Sequence, residues 1–182
     1  AASIAIRAYN ATRTVGVITN GTLAGFIGTE TVTVTSVGTD YASANVGTYT
    51  STISYTLANG TNGGLAGNYS LVNEVANGTI TKLPITLTAS ANTKVYDGTV
   101  SATATPTITT GALVSGDVGV FSETYDTKTQ GSNKVLTPTV VSILDATNTS
   151  MIGNYSITYE TNTSGVITAK QLTITDPLIN KT

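Results

Sequence analysis

The 182-residue chain has no cysteine, no histidine and no tryptophan. Without cysteine there is no disulfide, no thiolate metal site and no thiol nucleophile. Without histidine, Ser-His-Asp and Cys-His catalytic arrangements and imidazole metal sites are ruled out. Charge is scarce too, at 10% of residues with a formal net charge of -2. Neutralising phosphates takes clustered Lys and Arg, so nucleic acid is not an expected partner. No apolar run is long enough for a membrane-spanning helix, so membrane insertion is not expected. The acids are scattered and there are only two Phe. That leaves no evident carboxylate pair for glycoside hydrolysis and little to stack on a sugar. Asp117 with Asp126, and Asp145 with Asn148, are the nearest things to a calcium set, and neither sits in a ligand-spaced loop. The expectation is a protein that is not an enzyme and needs neither metal nor cofactor.

What the chain does have is threonine, serine, glycine and alternation. Thr is β-branched and suits strands, and helix-period patterning is nearly absent. Period-2 alternation marks strands at Thr31–Thr35, Thr48–Leu57, Ile85–Ala89, Val100–Ala104, Val135–Leu144, Tyr155–Glu160 and Val166–Ala169. Asn20-Gly21, Asn59-Gly60, Asn62-Gly63, Asn77-Gly78 and Asp97-Gly98 read as tight turns between them. Leu113–Val118 reads as a further turn. Pro106 and Pro138 belong on edge strands or at strand ends, because proline has no amide hydrogen for a ladder.

One stretch occurs twice. Gly67-Asn68-Tyr69-Ser70 returns as Gly153-Asn154-Tyr155-Ser156, a step of 153 − 67 = 86. Gly78-Thr79-Ile80-Thr81 returns as Gly165-Val166-Ile167-Thr168, a step of 165 − 78 = 87. The chain is therefore two copies of one unit of about 87 residues. The first copy occupies 1–83 and the second 84–171. The join at Lys82-Leu83-Pro84-Ile85 is short and carries no flexible run. Leu172–Thr175 repeats Ile85–Thr88, so 172–182 reads as the opening strand of a following repeat or as a strand donated to another molecule. Ala1 falls on Thr88, so the first copy has no counterpart of the strand at Pro84–Leu87. The absence of an initiator Met points to a processed chain or a piece of a longer one. Tyr69 and Tyr155 are expected at equivalent, mostly buried sites.

The second copy also carries Lys94-Val95-Tyr96-Asp97-Gly98-Thr99, followed by Gly116-Asp117, Gly153-Asn154-Tyr155 and Gly165-x-Ile167-Thr168-x-Lys170. This order and spacing resembles the YDG and MBG (mostly-β, glycine-rich) repeat domains of large secreted bacterial exoproteins, including adhesins of the filamentous-haemagglutinin type. The resemblance spans the second copy. The first has Arg7, Tyr9, Asn10 and Ala11 at the places of Lys94, Tyr96, Asp97 and Gly98, and Thr29 at that of Asp117. A motif that tolerates loss of its acid shapes a turn rather than performs a reaction.

The fold expected from the pattern is all-β, two tandem Ig-like β-sandwich repeats. The resemblance implies a spacer or stalk in a secreted, bacterial surface protein. Its partners would be neighbouring repeats of the same protein or identical subunits. A glycan- or host-protein-binding module and a filament subunit built by strand donation are the alternatives. The structural motif residues are Lys94, Tyr96, Asp97, Gly98, Gly67, Asn68, Tyr69, Gly153, Asn154 and Tyr155. Among the Asn-x-Ser/Thr sequences, Asn59, Asn77, Asn148 and Asn162 are the candidate glycosylation sites.

Overall fold

The computed structural model describes residues 1–174. The end of the expected tail strand, Thr175, and everything after it lie outside the described residues. Leu172, Thr173 and Ile174 are exposed and are not in a strand. The described chain is all-β, with two single 3-10 turns as its only helical elements.

Two compact units are formed. Unit 1 is Ala1–Leu83 together with Val114–Gly116 and Met151–Ser156. Unit 2 is Pro84–Leu113, Asp117–Ser150 and the chain from Ile157. The two short segments thus belong to the second repeat in sequence and to unit 1 in packing.

Unit 1 contains strands β1 (Ser3–Ile4), β2 (Arg7–Ala8), β3 (Ile18–Thr19), β4 (Val32–Gly38), β5 (Gly47–Asn59) and β6 (Glu74–Thr81). Its main sheet has the order β2-β6-β5-β4, and β1 pairs with β3 apart from it. β4 and β6 flank β5 in antiparallel pairs, whereas β2 runs parallel to β6. Alternation decides which side chains go in. In β5, Ser51 and Ile53 are buried while Thr50 and Thr52 face out. The core collects Tyr9, Val32, Tyr41, Ile53, Ile80, Met151 and Tyr155.

The second repeat contributes β7 (Leu83–Thr88), β8 (Thr93–Val95), β9 (Thr107–Thr110), β10 (Val118–Tyr125), β11 (Gly131–Leu144), β12 (Tyr155–Glu160) and β13 (Asn162–Thr168). Its four-stranded sheet has the order β8-β13-β11-β10, with β8 parallel to β13. Each strand is the repeat counterpart of its equal in β2-β6-β5-β4, so the two main sheets share order and direction. A second sheet, β12-β7-β9, completes this copy. Ala89, Tyr125, Leu136 and Ile167 form one core cluster.

The copies differ at β12: Ser70–Asn73, which correspond to its middle, are outside any strand.

Two local expectations are corrected. Asn77-Gly78 is not a turn: both residues lie inside β6, paired with Thr50 and Tyr49. Glycine is required there because a Cβ would stand 2.6 Å from Cζ of the Tyr41 ring. Val100–Ala104 forms no strand, only a single bridge from Ser101 to Thr124. Tyr69 and Tyr155 both lie mostly buried, Tyr155 the deeper at 2% exposed. Pro138 sits in β11 opposite Glu123 of β10, beyond Leu136, where the pairing of β11 with β13 ends. Its ring therefore faces a local edge.

Candidate functional site

The Lys94–Thr99 motif starts inside β8 and folds back around its own lysine. Lys94 Nζ donates to Asp97 Oδ1 at 2.8 Å, Thr99 O at 2.8 Å, Thr99 Oγ1 at 3.0 Å and Ser101 O at 2.9 Å. The ammonium also lies 5.4 Å from the centroid of the Tyr125 ring. Asp97 Oδ1 accepts from the Thr99 amide and the Thr99 hydroxyl as well. These donors, Lys94 first and then Thr99, draw the Asp97 carboxyl down to about 2. Gly98 takes the left-handed conformation at φ 80°, where a Cβ is costly.

The first repeat ties the same knot with other residues. Arg7 donates to the Thr14 carbonyl from Nε at 2.9 Å, to Asn10 Oδ1 from Nη1 at 2.7 Å and to the Thr12 carbonyl from Nη2 at 2.7 Å. Asn10 Oδ1 accepts from the amide and hydroxyl of Thr12, as Asp97 does from Thr99. Arg7 lies 5.6 Å from the Tyr41 centroid. Ala11 holds φ 59° in the place of Gly98. The tyrosines correspond across the repeat, and each ring lies over a glycine, Tyr41 over Gly78 and Tyr125 over Gly165.

Chemically, the knot is closed. The lysine has its donors engaged, and Asp97 Oδ1 accepts three hydrogen bonds, so both side chains are tied into the loop. Among the described residues no group of three or more His, Cys, Asp or Glu could hold a metal ion. Among them, too, no helix is long and apolar enough to cross a membrane. Asp145 turns its carboxylate onto the amides of Thr147 and Thr149 and the Thr147 hydroxyl, and these contacts lower its pKa. That is turn construction.

The Gly-Asn-Tyr motif forms a 3-10 turn in both copies, Ala66–Asn68 and Ile152–Asn154. In each, the tyrosine hydroxyl accepts a backbone N–H, from Ile27 onto Tyr69 and from Val114 onto Tyr155. Tyr69 also donates to Glu30 at 2.6 Å, and its pKa is raised chiefly by that bond. Glu30 lies 117 − 30 = 87 positions before Asp117, so the first copy keeps an acid there and Glu30, not Thr29, is the counterpart of Asp117. Gly67 and Gly153 face open space.

Tyr96 points outward, 39% exposed, whereas its counterpart Tyr9 is 3% exposed. It borders a groove of about 530 Å³ with Thr129, Gln130, Ala169, Lys170 and Leu172. Sequence reasoning missed Tyr125, Ser101 and this groove. The 84-residue steps from Tyr41 to Tyr125 and from Gly47 to Gly131, off the main period, hid the first and the last.

Of the glycosylation candidates, Asn59 and Asn162 have engaged side chains. Asn59 Oδ1 accepts from Ala66 N, and Asn162 Nδ2 donates to the Ala89 carbonyl. Asn77 is exposed in β6, and Asn148 is exposed at φ 61°.

A buried acid lies outside the motif. Glu123 is 2% exposed, and Oε2 accepts from Ser90 N at 2.8 Å while Oε1 has no partner. Burial raises its pKa.

Comparison with known proteins bears on the motif itself. No curated protein and no solved structure matches the chain. The family model of the YDG domain matches residues 81–164, the stretch that holds the lysine-filled loop and the second Gly-Asn-Tyr turn.

Proposed function

We propose that this chain is a non-catalytic spacer, built as two tandem Ig-like β-sandwich repeats, in a secreted bacterial surface adhesin or extracellular fibre. The observation that carries the reading is the double construction of the Lys94 loop. Two copies reach one backbone shape with Lys or Arg, Asp or Asn, Gly or Ala. A reactive site does not survive exchange of its acid for an amide, whereas a shape does. The polar groups of the loop are spent on one another, which favours stiffness over chemistry.

The experiment is a glycan array together with a pull-down from host-cell surface extract, using the whole chain. A spacer retains no glycan and no host protein above a scrambled-surface control. Saturable binding of one glycan class or one host protein, lost on substitution of an exposed aromatic such as Tyr96 or Tyr159, would replace the spacer with a direct binding module.

A further inference from the structure

We propose that the groove beside Tyr96 receives the Leu65–Tyr69 turn of a second copy of this chain, in a head-to-tail contact. Inside unit 1 the corresponding face is filled. There the Tyr9 ring meets the Tyr155 ring edge-on, with centroids 5.6 Å apart and planes at 76°. Asn154 Oδ1 accepts from the Val46 amide at 2.9 Å. Asn154 Nδ2 donates to Asn45 Oδ1 at 2.9 Å. The turn Met151–Tyr155 is thereby sealed: Met151 is 6%, Asn154 5% and Tyr155 2% exposed.

Among the described residues, the groove in unit 2 is the same face without its cover. Tyr96 stands for Tyr9. Thr129 and Gln130 stand for Asn45 and Val46, just before glycines that share an extended backbone, φ 159° at Gly47 and 157° at Gly131. The matching turn is also uncovered. Leu65–Tyr69 has the bonds of Met151–Tyr155: Asn68 N donates to Leu65 O at 3.0 Å, as Asn154 N does to Met151 O at 2.9 Å. Yet Leu65 is 52% exposed, Asn68 is exposed and Tyr69 is only partly buried. Among the described residues, unit 2 leaves one socket open and unit 1 leaves one plug uncovered, of a joint that unit 1 already shows closed.

The chemistry carries across. The Gln130 amide replaces that of Val46 as donor to the Asn68 carbonyl oxygen. The Thr129 hydroxyl replaces Asn45 Oδ1 as acceptor from the Asn68 amide nitrogen. Tyr69 meets Tyr96, and Leu65 takes the apolar place of Met151. Socket and plug are different surfaces, so the contact is heterologous and propagates as a line unless it closes into a ring. One turn and one ring bury little area, so between free molecules the contact is weak. Between repeats held on one chain the effective concentration makes it count. The contact refines the spacer reading without depending on it: glycan binding would end that reading and leave the joint intact, and an absent joint would leave the spacer.

Isotope-labelled chain is titrated with unlabelled chain up to about 1 mM and followed by amide shifts. The expected result is concentration-dependent shifts at Leu65–Tyr69 and at Tyr96, Thr129 and Gln130 together. Y96A and N68A change only exposed side chains, and each should abolish the self-association. Mixing the two restores one contact, because Y96A keeps a sound plug and N68A a sound socket. Shifts then return at the turn of Y96A and at the groove of N68A, and the complex stops at a dimer. No shifts up to that concentration, shifts confined to other surfaces, or no rescue in the mixture would overturn the proposal.

Discussion

The loops Arg7–Thr12 and Lys94–Thr99 share only a tyrosine and a threonine, yet they fold alike. What both keep is a cation whose head fills the loop, an oxygen acceptor three residues later and a left-handed residue after that. The cation changes from a point charge with three donors to a planar fork with five, and the fork spreads its bonds over Thr12, Thr14 and Asn10. The acceptor changes from an anion to an amide. The lesson is that the YDG triplet encodes a backbone path, and that its letters are one solution among several.

The largest test contrasts the paired tyrosines of the two turns. Tyr155→Ala should destabilise the unit it packs in by about 3–5 kcal/mol, the usual cost of removing a buried ring. Tyr69→Ala should cost less than half as much, since that ring is only partly buried and leans mainly on Phe26. Urea unfolding of the two variants measures the gap. Equal losses would show that burial does not separate the copies.

A smaller effect comes from trading the left-handed residues. Gly98→Ala should cost about 1 kcal/mol, and Ala11→Gly should gain up to about 1 kcal/mol, because only glycine holds that conformation freely. A thermal scan of both variants should give shifts of opposite sign. Same-sign shifts would mean that the two loops are not conformational equals.

The pH profile sharpens the comparison further. The Asp97 pKa is depressed in the folded state, so its contribution is in place above the ordinary carboxylate range and fades as pH falls from about 4 towards about 2. Asn10 does not titrate, so the first loop has no such step. The buried Glu123 works the other way. Its folded pKa is raised, so its contribution holds below the ordinary value and is lost as pH rises through the raised one. Following Tyr96 and Tyr9 amide shifts through an acid titration should show the loop change in the second repeat only. Fluorescence-monitored melts of Glu123→Gln should lose the decline on the rising-pH side.

Much of this architecture is legible in the residues. The 87-residue step, the long strands and the turn at Asn62-Gly63, both residues at positive φ, follow from alternation and Asn-Gly chemistry. Asn77-Gly78 looks identical in sequence and is mid-strand, because its glycine answers to a ring 37 positions away (78 − 41) and not to a turn. Local patterns carry no record of such long-range contacts. Val100–Ala104 alternates properly but meets β10 only around the single bridge from Ser101 to Thr124, and a strand exists only in company. The loop's lysine is visible as a motif, while its ring partner Tyr125 is not, since a three-residue difference in loop length shifts it off the repeat period. The exposure of Tyr96 against the burial of Tyr9 is likewise beyond any motif, because the two residues differ only in what lies over them.

The parallel pairs β2/β6 and β8/β13 have a consequence for load. In each main sheet the first strand lies beside the last and runs the same way. Tension on the two ends of such a repeat pulls these neighbours past one another along their common axis. The bonds between them, with Tyr9 N to Thr81 O and Tyr96 N to Thr168 O at the far end, are strained together rather than peeled one at a time. The cation-filled loop follows directly after the strand that would slide, so the residues of the YDG motif stand where a pulled repeat would first have to give.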